Sequence, residues 1–309
     1  MSQKDFVHVD RLVPEIPPVD KRIKLIIDTD VGNEIDDFYA IALVLASPDR
    51  FDLKGICGAN YNNNRPGGGP DSIRTSVELT HDLLKAAGLD GKFPVLQGSH
   101  PLQYYGFPSE SEGARFIVGE AKKASPDDPL WVVILGASST AASALLMDPT
   151  IVDNIRYVYH TRSEYTWPQR SVQFNVKGDI HAARSILASR VPLVWFDTGT
   201  HLTIPYDLTK KYLAPINALG KFLHDFRDRD PYFSTDDKGF FDMGDFVFLI
   251  DPSTCKWEVT YAPRMDEYMF FDFSRANGKM LRVFDIDNDR SWNLLFQRLR
   301  KMYENNDRQ

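Results

Sequence analysis

From residue 23 to residue 196, short apolar runs alternate with segments of helical period, and no other feature constrains the fold as strongly. Residues 23–27, 53–59, 93–96, 130–135, 155–159 and 193–196 read as strands. Residues 38–46, 72–87, 112–124, 140–147 and 180–188 read as the helices between them. Strands that stay apolar on both faces belong to a covered sheet, so the pattern predicts an α/β fold. Its mostly parallel, doubly wound sheet is flanked by helices. Residues 206–251 read as mainly helical and 257–284 as a late β-rich portion. Residues 1–22 are polar and carry Pro14, Pro17 and Pro18, which makes them an N-terminal arm. No linker interrupts residues 23–309, which read as a single domain.

Composition narrows the function classes. Lys and Arg number 36 against 43 Asp and Glu, a net charge of −7, and such a surface has no excess of cations to neutralise nucleic-acid phosphates. No stretch approaches the roughly 20 apolar residues of a membrane span. The first ten residues have no apolar core, so no secretion signal is expected. Cys57 and Cys255 are too few for a disulfide framework. Together these features point to the cytoplasm.

The chemistry concentrates where the first strand ends, in Asp28-Thr-Asp-Val-Gly-Asn-Glu-Ile-Asp-Asp37. In an open parallel sheet, ligands sit beyond the carboxyl ends of the strands. Asp36 and Asp37 suit a helix N-terminus, whose dipole favours acids. Asp28 and Asp30 have no such explanation, and four carboxylates this close repel one another unless a cation or shared protons compensate. Hard divalent cations need such oxygen donors.

Strand, Asp-Thr-Asp, Gly, Asp-Asp and apolar helix resemble the signature of the inosine–uridine-preferring nucleoside hydrolases. The loop here is two residues longer than in that family, Asn33-Glu34 reading as an insertion. Further stretches are similar in the same order: Gly55-Ile-Cys-Gly-Ala-Asn60, Pro94 to Leu102, Leu135-Gly-Ala-Ser-Ser-Thr140, Gln173-Phe-Asn175, Phe241-Asp242 and Asp251-Pro252.

The resemblance implies a Ca²⁺ held by Asp30, Asp37, Asp242 and the backbone carbonyl of Ser139. It implies Asp30 as the base that activates water, and Asp28 as a group orienting the ligands. Asp36, Asn60 or Asn62, Gln173 and Asn175 would bind the ribose of a nucleoside, with Trp167 where the family has Asn. A homo-oligomer, dimer or tetramer, is expected on the same ground. The chain departs from the family where a His usually protonates the leaving base, a position occupied by Phe241. His201, His224, Tyr165 and Glu164 are the replacement candidates. The expected activity is Ca²⁺-dependent cleavage of the N-glycosidic bond of a ribonucleoside or modified nucleoside. Two rivals share the first motif: a non-catalytic ribose- or nucleoside-binding protein, and a phosphatase of the haloacid dehalogenase type.

Overall fold

Residues 11–63 and 67–304 are described by a computed structural model. The elements in chain order are β1 (Ile23–Thr29), α1 (Asp36–Leu45), β2 (Phe51–Gly58), α2 (Ser72–Ala86), β3 (Val95–Gln97), α3 (Glu112–Lys122), β4 (Leu130–Ile134), α4 (Ser139–Met147), β5 (Ile155–His160) and α5 (Phe174–Gly178). The second half adds α6 (Ile180–Ala188), β6 (Leu193–Phe196), α7 (Tyr206–Leu208), α8 (Ala218–Asp228), α9 (Met243–Ile250), β7 (Cys255–Tyr261), β8 (Arg264–Met265), β9 (Phe271–Asp272), β10 (Lys279–Ile286) and α10 (Asn288–Glu304).

The main sheet has eight strands in the order β3-β2-β1-β4-β5-β6-β10-β7. All neighbours run parallel except β7, which pairs antiparallel with β10 at one edge. The strand order turns back at β1 and β4, which creates a crevice at their carboxyl ends.

Alternation along each strand explains the two cores. Leu25 and Ile27 of β1, Val133 of β4 and Phe196 of β6 face one layer, where α1, α9 and α10 pack. Ile26, Val132, Ile134 and Trp195 face the other, beneath α3, α4 and α6. Helix α1 is buried on every side, which suits its near-absence of polar residues beyond the first turn. By the same period of two, Asp28 points with Ile26 toward α4 and is buried there.

Differences from the sequence pattern are local. Helix α1 starts at Asp36 rather than 38, because its dipole welcomes both carboxylates in the first turn. The region 206–251 is helical only in pieces, and residues 229–242 run irregularly toward the cleft. Helix α10 is an addition, although Trp292, Leu295 and Leu299 are buried at helical spacing. The described part of the arm, 11–22, forms no element but is fastened down. The Arg11 guanidinium donates to the carbonyls of Ile186 and Leu187 at 2.9 Å. The buried Arg50 guanidinium donates to Pro17 O at 3.1 Å and to Leu249 O.

A candidate active site at the carboxyl edge of the sheet

A cleft of about 420 Å³ opens at the crevice between β1 and β4. Its lining includes Asp30, Asp36, Asp37, Asp242, Gln173 and Asn175, drawn from separate segments of the chain. A second cavity of about 400 Å³ lies under the arm. Asp128 there is engaged by lysines, Lys24 reaching it at 2.7 Å, and no metal-ligand cluster of described residues converges on the cavity.

The acidic turn is shaped by Gly32, whose φ of +103° is a left-handed-side conformation that a side chain would strain. Asn33, in the two-residue insertion, donates to Asp30 Oδ2 at 3.0 Å and accepts from Asn63 at 2.7 Å. Its neighbour Glu34 pairs with the buried Lys238 at 2.6 Å, and Lys238 stands 3.8 Å from Asp36. The insertion therefore ties the turn to the segment that leads into Asp242. Thr29 donates its hydroxyl to Asp37.

Carboxylate oxygens of Asp36, Asp37 and Asp242 lie within 4.8 Å of one another, although Asp242 is more than two hundred residues from the other two in sequence. A ring nitrogen of His160 and oxygens of Asp242 and Asp245 form an overlapping cluster of the same size. Burial, then the charges of Asp37 and Asp36, holds Asp30 well above the ordinary carboxylate range. Burial and Asp36 push Asp37 up to about 7 against the pull of the Thr29 hydroxyl. Asp242 is raised by burial and by Asp36, Asp37 and Asp30.

The Asp28 carboxylate is raised to about 7 by burial, which outweighs the Thr140 hydroxyl and the Ala141 amide. Neither of these closes to hydrogen-bonding geometry on it. Buried carboxylates at such spacing call for a positive charge, and an all-oxygen donor set suits a hard divalent cation. Gly136 at the end of β4 makes room for this arrangement, since a Cβ there would stand 2.9 Å from the Cβ of Asp30. Gly136→Ala is expected to displace Asp30 and to destabilise the fold by about 1–3 kcal/mol. Denaturant midpoints and a Ca²⁺ titration check this, the affinity falling about tenfold if Asp30 moves.

The residues proposed for the sugar are distributed unevenly. Asn175 is buried and donates to the Leu135 carbonyl, while its amide N–H donates to Gln173 Oε1 at 2.7 Å. The Gln173 side chain thus caps α5, which leaves its NH₂ for a ligand. Asn60 is buried and donates to Ser139 Oγ at 2.8 Å and Ser99 O at 3.2 Å. Asn62 is exposed, and among the described residues of this loop Asn63 lines the cleft. Ser139 opens α4, its hydroxyl donating to Asp179 at 2.7 Å, and it is not among the cleft's lining residues. Trp167 packs edge-on against Phe271 and Phe273 beneath the Arg282 guanidinium, away from the lining.

None of the four candidate acids lines the cleft. His224 contacts the Thr209 hydroxyl at 3.1 Å, and Glu164 accepts from the Thr200 hydroxyl. The histidine that does line it is His160, last residue of β5, buried, with Nδ1 2.7 Å from Asp245 and Nε2 3.6 Å from Asp242. Its place at the carboxyl end of a strand is the signal that marks it in the sequence. Arg162, also missed there, lies over the Phe241 ring at 3.7 Å.

The sequence matches the inosine-uridine preferring nucleoside hydrolase family over residues 25–282. The purine-preferring ribonucleoside hydrolase of Gardnerella vaginalis has the same fold, with a TM-score of 0.72 at 22% identity over 90% of this chain and 98% of that one. A plant nucleoside hydrolase gives 0.72 at 19% identity over 90% and 99%. An inosine–guanosine nucleoside hydrolase gives 0.69 at 19% over 92% and 99%. No curated protein matches by sequence. The superpositions carry the fold, and the sequence match covers most of the chain, acidic turn and Asp242 included. On that evidence the chain belongs to the inosine–uridine-preferring nucleoside hydrolase family.

Proposed function

We propose that this protein is a Ca²⁺-dependent hydrolase that cleaves the N-glycosidic bond of a ribonucleoside or modified nucleoside, releasing ribose and a free base. One observation carries the proposal: Asp36, Asp37 and Asp242 converge in a cleft that also contains Asp30. Asp30, Asp37, Asp242 and the Ser139 carbonyl would hold the cation, which supplies charge that gathers ribose hydroxyls and acidifies water. Asp30 takes the proton of a water as that water attacks the anomeric carbon. The C1′–N bond breaks with its electron pair leaving on the base nitrogen, through an oxocarbenium-like state and with inversion. Asp36, Gln173, Asn175 and one of Asn60 or Asn62 orient the sugar, and Asp28 orients the ligands from below. Phe241 offers no proton, so the leaving group departs without one from that position.

Residues 23–309 act as one catalytic domain, preceded by an N-terminal arm over residues 1–22. The protein works as a cytoplasmic homo-oligomer, with both cysteines free. No described helix is long and apolar enough to cross a membrane.

The test is ribose release from a nucleoside panel before and after chelation. Activity should fall at least about 100-fold on metal removal and return with Ca²⁺. Ribose binding without turnover on any member would replace this reading with a binding protein. Rapid phosphate release from p-nitrophenyl phosphate would replace it with a phosphatase.

A further inference from the structure

The cleft holds one cation that nothing among the described residues engages by charge. Lys238 is buried and paired with Glu34 at 2.6 Å. Arg162 is half-buried at the cleft wall, and among the described residues its guanidinium meets only the face of Phe241, at 3.7 Å. Although Asp30, Asp36, Asp37 and Asp242 line the same cleft, none is within ion-pair distance of it. A guanidinium seated over a ring at this distance spends its face on the ring and keeps N–H donors for a planar or tetrahedral anion.

Arg162 also occupies φ +39°, a left-handed conformation that glycine adopts freely and arginine does not. Strain of this kind persists where the side chain has a task. The same strained turn projects from the end of β5 beside His160 and so aims the side chain at the sugar-binding region.

We propose that Arg162, stacked on Phe241, binds an anionic group of the ribosyl substrate, a phosphate or a carboxylate. This makes the preferred substrate a charged riboside instead of a neutral nucleoside. The inference rests on the ribosyl-hydrolase reading of the cleft. Phe241 then has a positive role: it replaces a proton donor with a platform that holds a cation in place. The anion can be carried by the 5′ carbon or by the leaving group, since both lie next to the sugar.

Uridine, uridine 5′-monophosphate and orotidine separate the cases, with Ca²⁺ present throughout. One charged compound should exceed uridine in kcat/KM by about 10- to 100-fold, the worth of a charge-assisted hydrogen-bonded pair. The phosphate source is indicated if that compound is the 5′-monophosphate, the leaving group if it is orotidine. Arg162→Gly, which suits the backbone at this position, should bring the charged-to-neutral ratio to near one. Arg162→Lys should keep part of it, and serves if the glycine variant does not fold. A wild-type ratio near one, or a ratio unmoved in both variants, overturns the assignment while leaving hydrolysis of uridine to uphold the function. If none of the three is cleaved and the nucleoside panel, purines included, also releases no ribose, the hydrolase reading fails. Calorimetric dissociation constants for the same compounds then decide on Arg162 by the same ratios.

Discussion

Asp30→Asn is expected to lower kcat about 10³-fold, the middle of the range for a positioned general base. The amide is nearly the same shape as the carboxylate and keeps an oxygen for a cation, but it cannot accept a proton. Ca²⁺ affinity, followed by calorimetry, should weaken far less than kcat. The same substitution should stabilise the metal-free protein. Asp30 is buried beside Asp36 and Asp37, whose charges oppose its ionisation, so removing the carboxyl relieves that repulsion. Opposite signs for activity and apo stability are the signature of a site held together against its own charge. A fall in kcat of less than tenfold would remove Asp30 from the role of base.

The second large effect is on stability against pH. Asp28 and Asp37 ionise at about 7 in the folded chain, against a value of 3.8 when exposed. Between these values the folded state binds more protons than the unfolded one, so metal-free stability is highest at the acid end and is lost as pH rises through 7. A one-unit shift is about 1.4 kcal/mol, so two groups displaced this far amount to several kcal/mol. Asp148 and Asp49, held low by Lys122 and Arg298, act in the other direction, but their titration is over below about pH 5. In chelator, the melting temperature should therefore fall by about 10 °C between roughly pH 5 and pH 8. With Ca²⁺ it should stay level or rise, because the cation takes the place of the protons. Scanning calorimetry at both pH values, with and without metal, checks this. A metal-free protein that gains stability across that window would show that the carboxylates do not share the cleft as described.

The strands and helices through residue 196 were legible in the chain because a buried parallel sheet leaves long apolar runs, and helices leave a period near 3.6. The acidic turn was legible for a similar reason, since four carboxylates in one short loop have few uses other than holding a cation or protons. Trp167 was harder. A tryptophan near the motif suggests a stacking platform, yet packing against Phe271 and Phe273 claims it for the wall of the fold. Asn60 likewise spends its amide on Ser99 and Ser139. In an asparagine-rich loop, only the fold distinguishes a side chain that faces the cleft, and among the described residues that is Asn63.

What the sequence determined by itself is local: where backbone hydrogen bonds close into strand or helix, which faces are apolar, and that an acidic turn stands at the first strand's end. Short-range sterics and periodicity are enough to set these features. The tertiary structure alone decided which distant groups share a dielectric boundary and a charge. It brought Asp242 to Asp37, set His160 between Asp242 and Asp245, locked Lys238 onto the inserted Glu34, and left Arg162 on the ring of Phe241 with no ion pair among the described residues. Burial and proximity are properties of the folded chain, and the chemistry of the cleft depends on both.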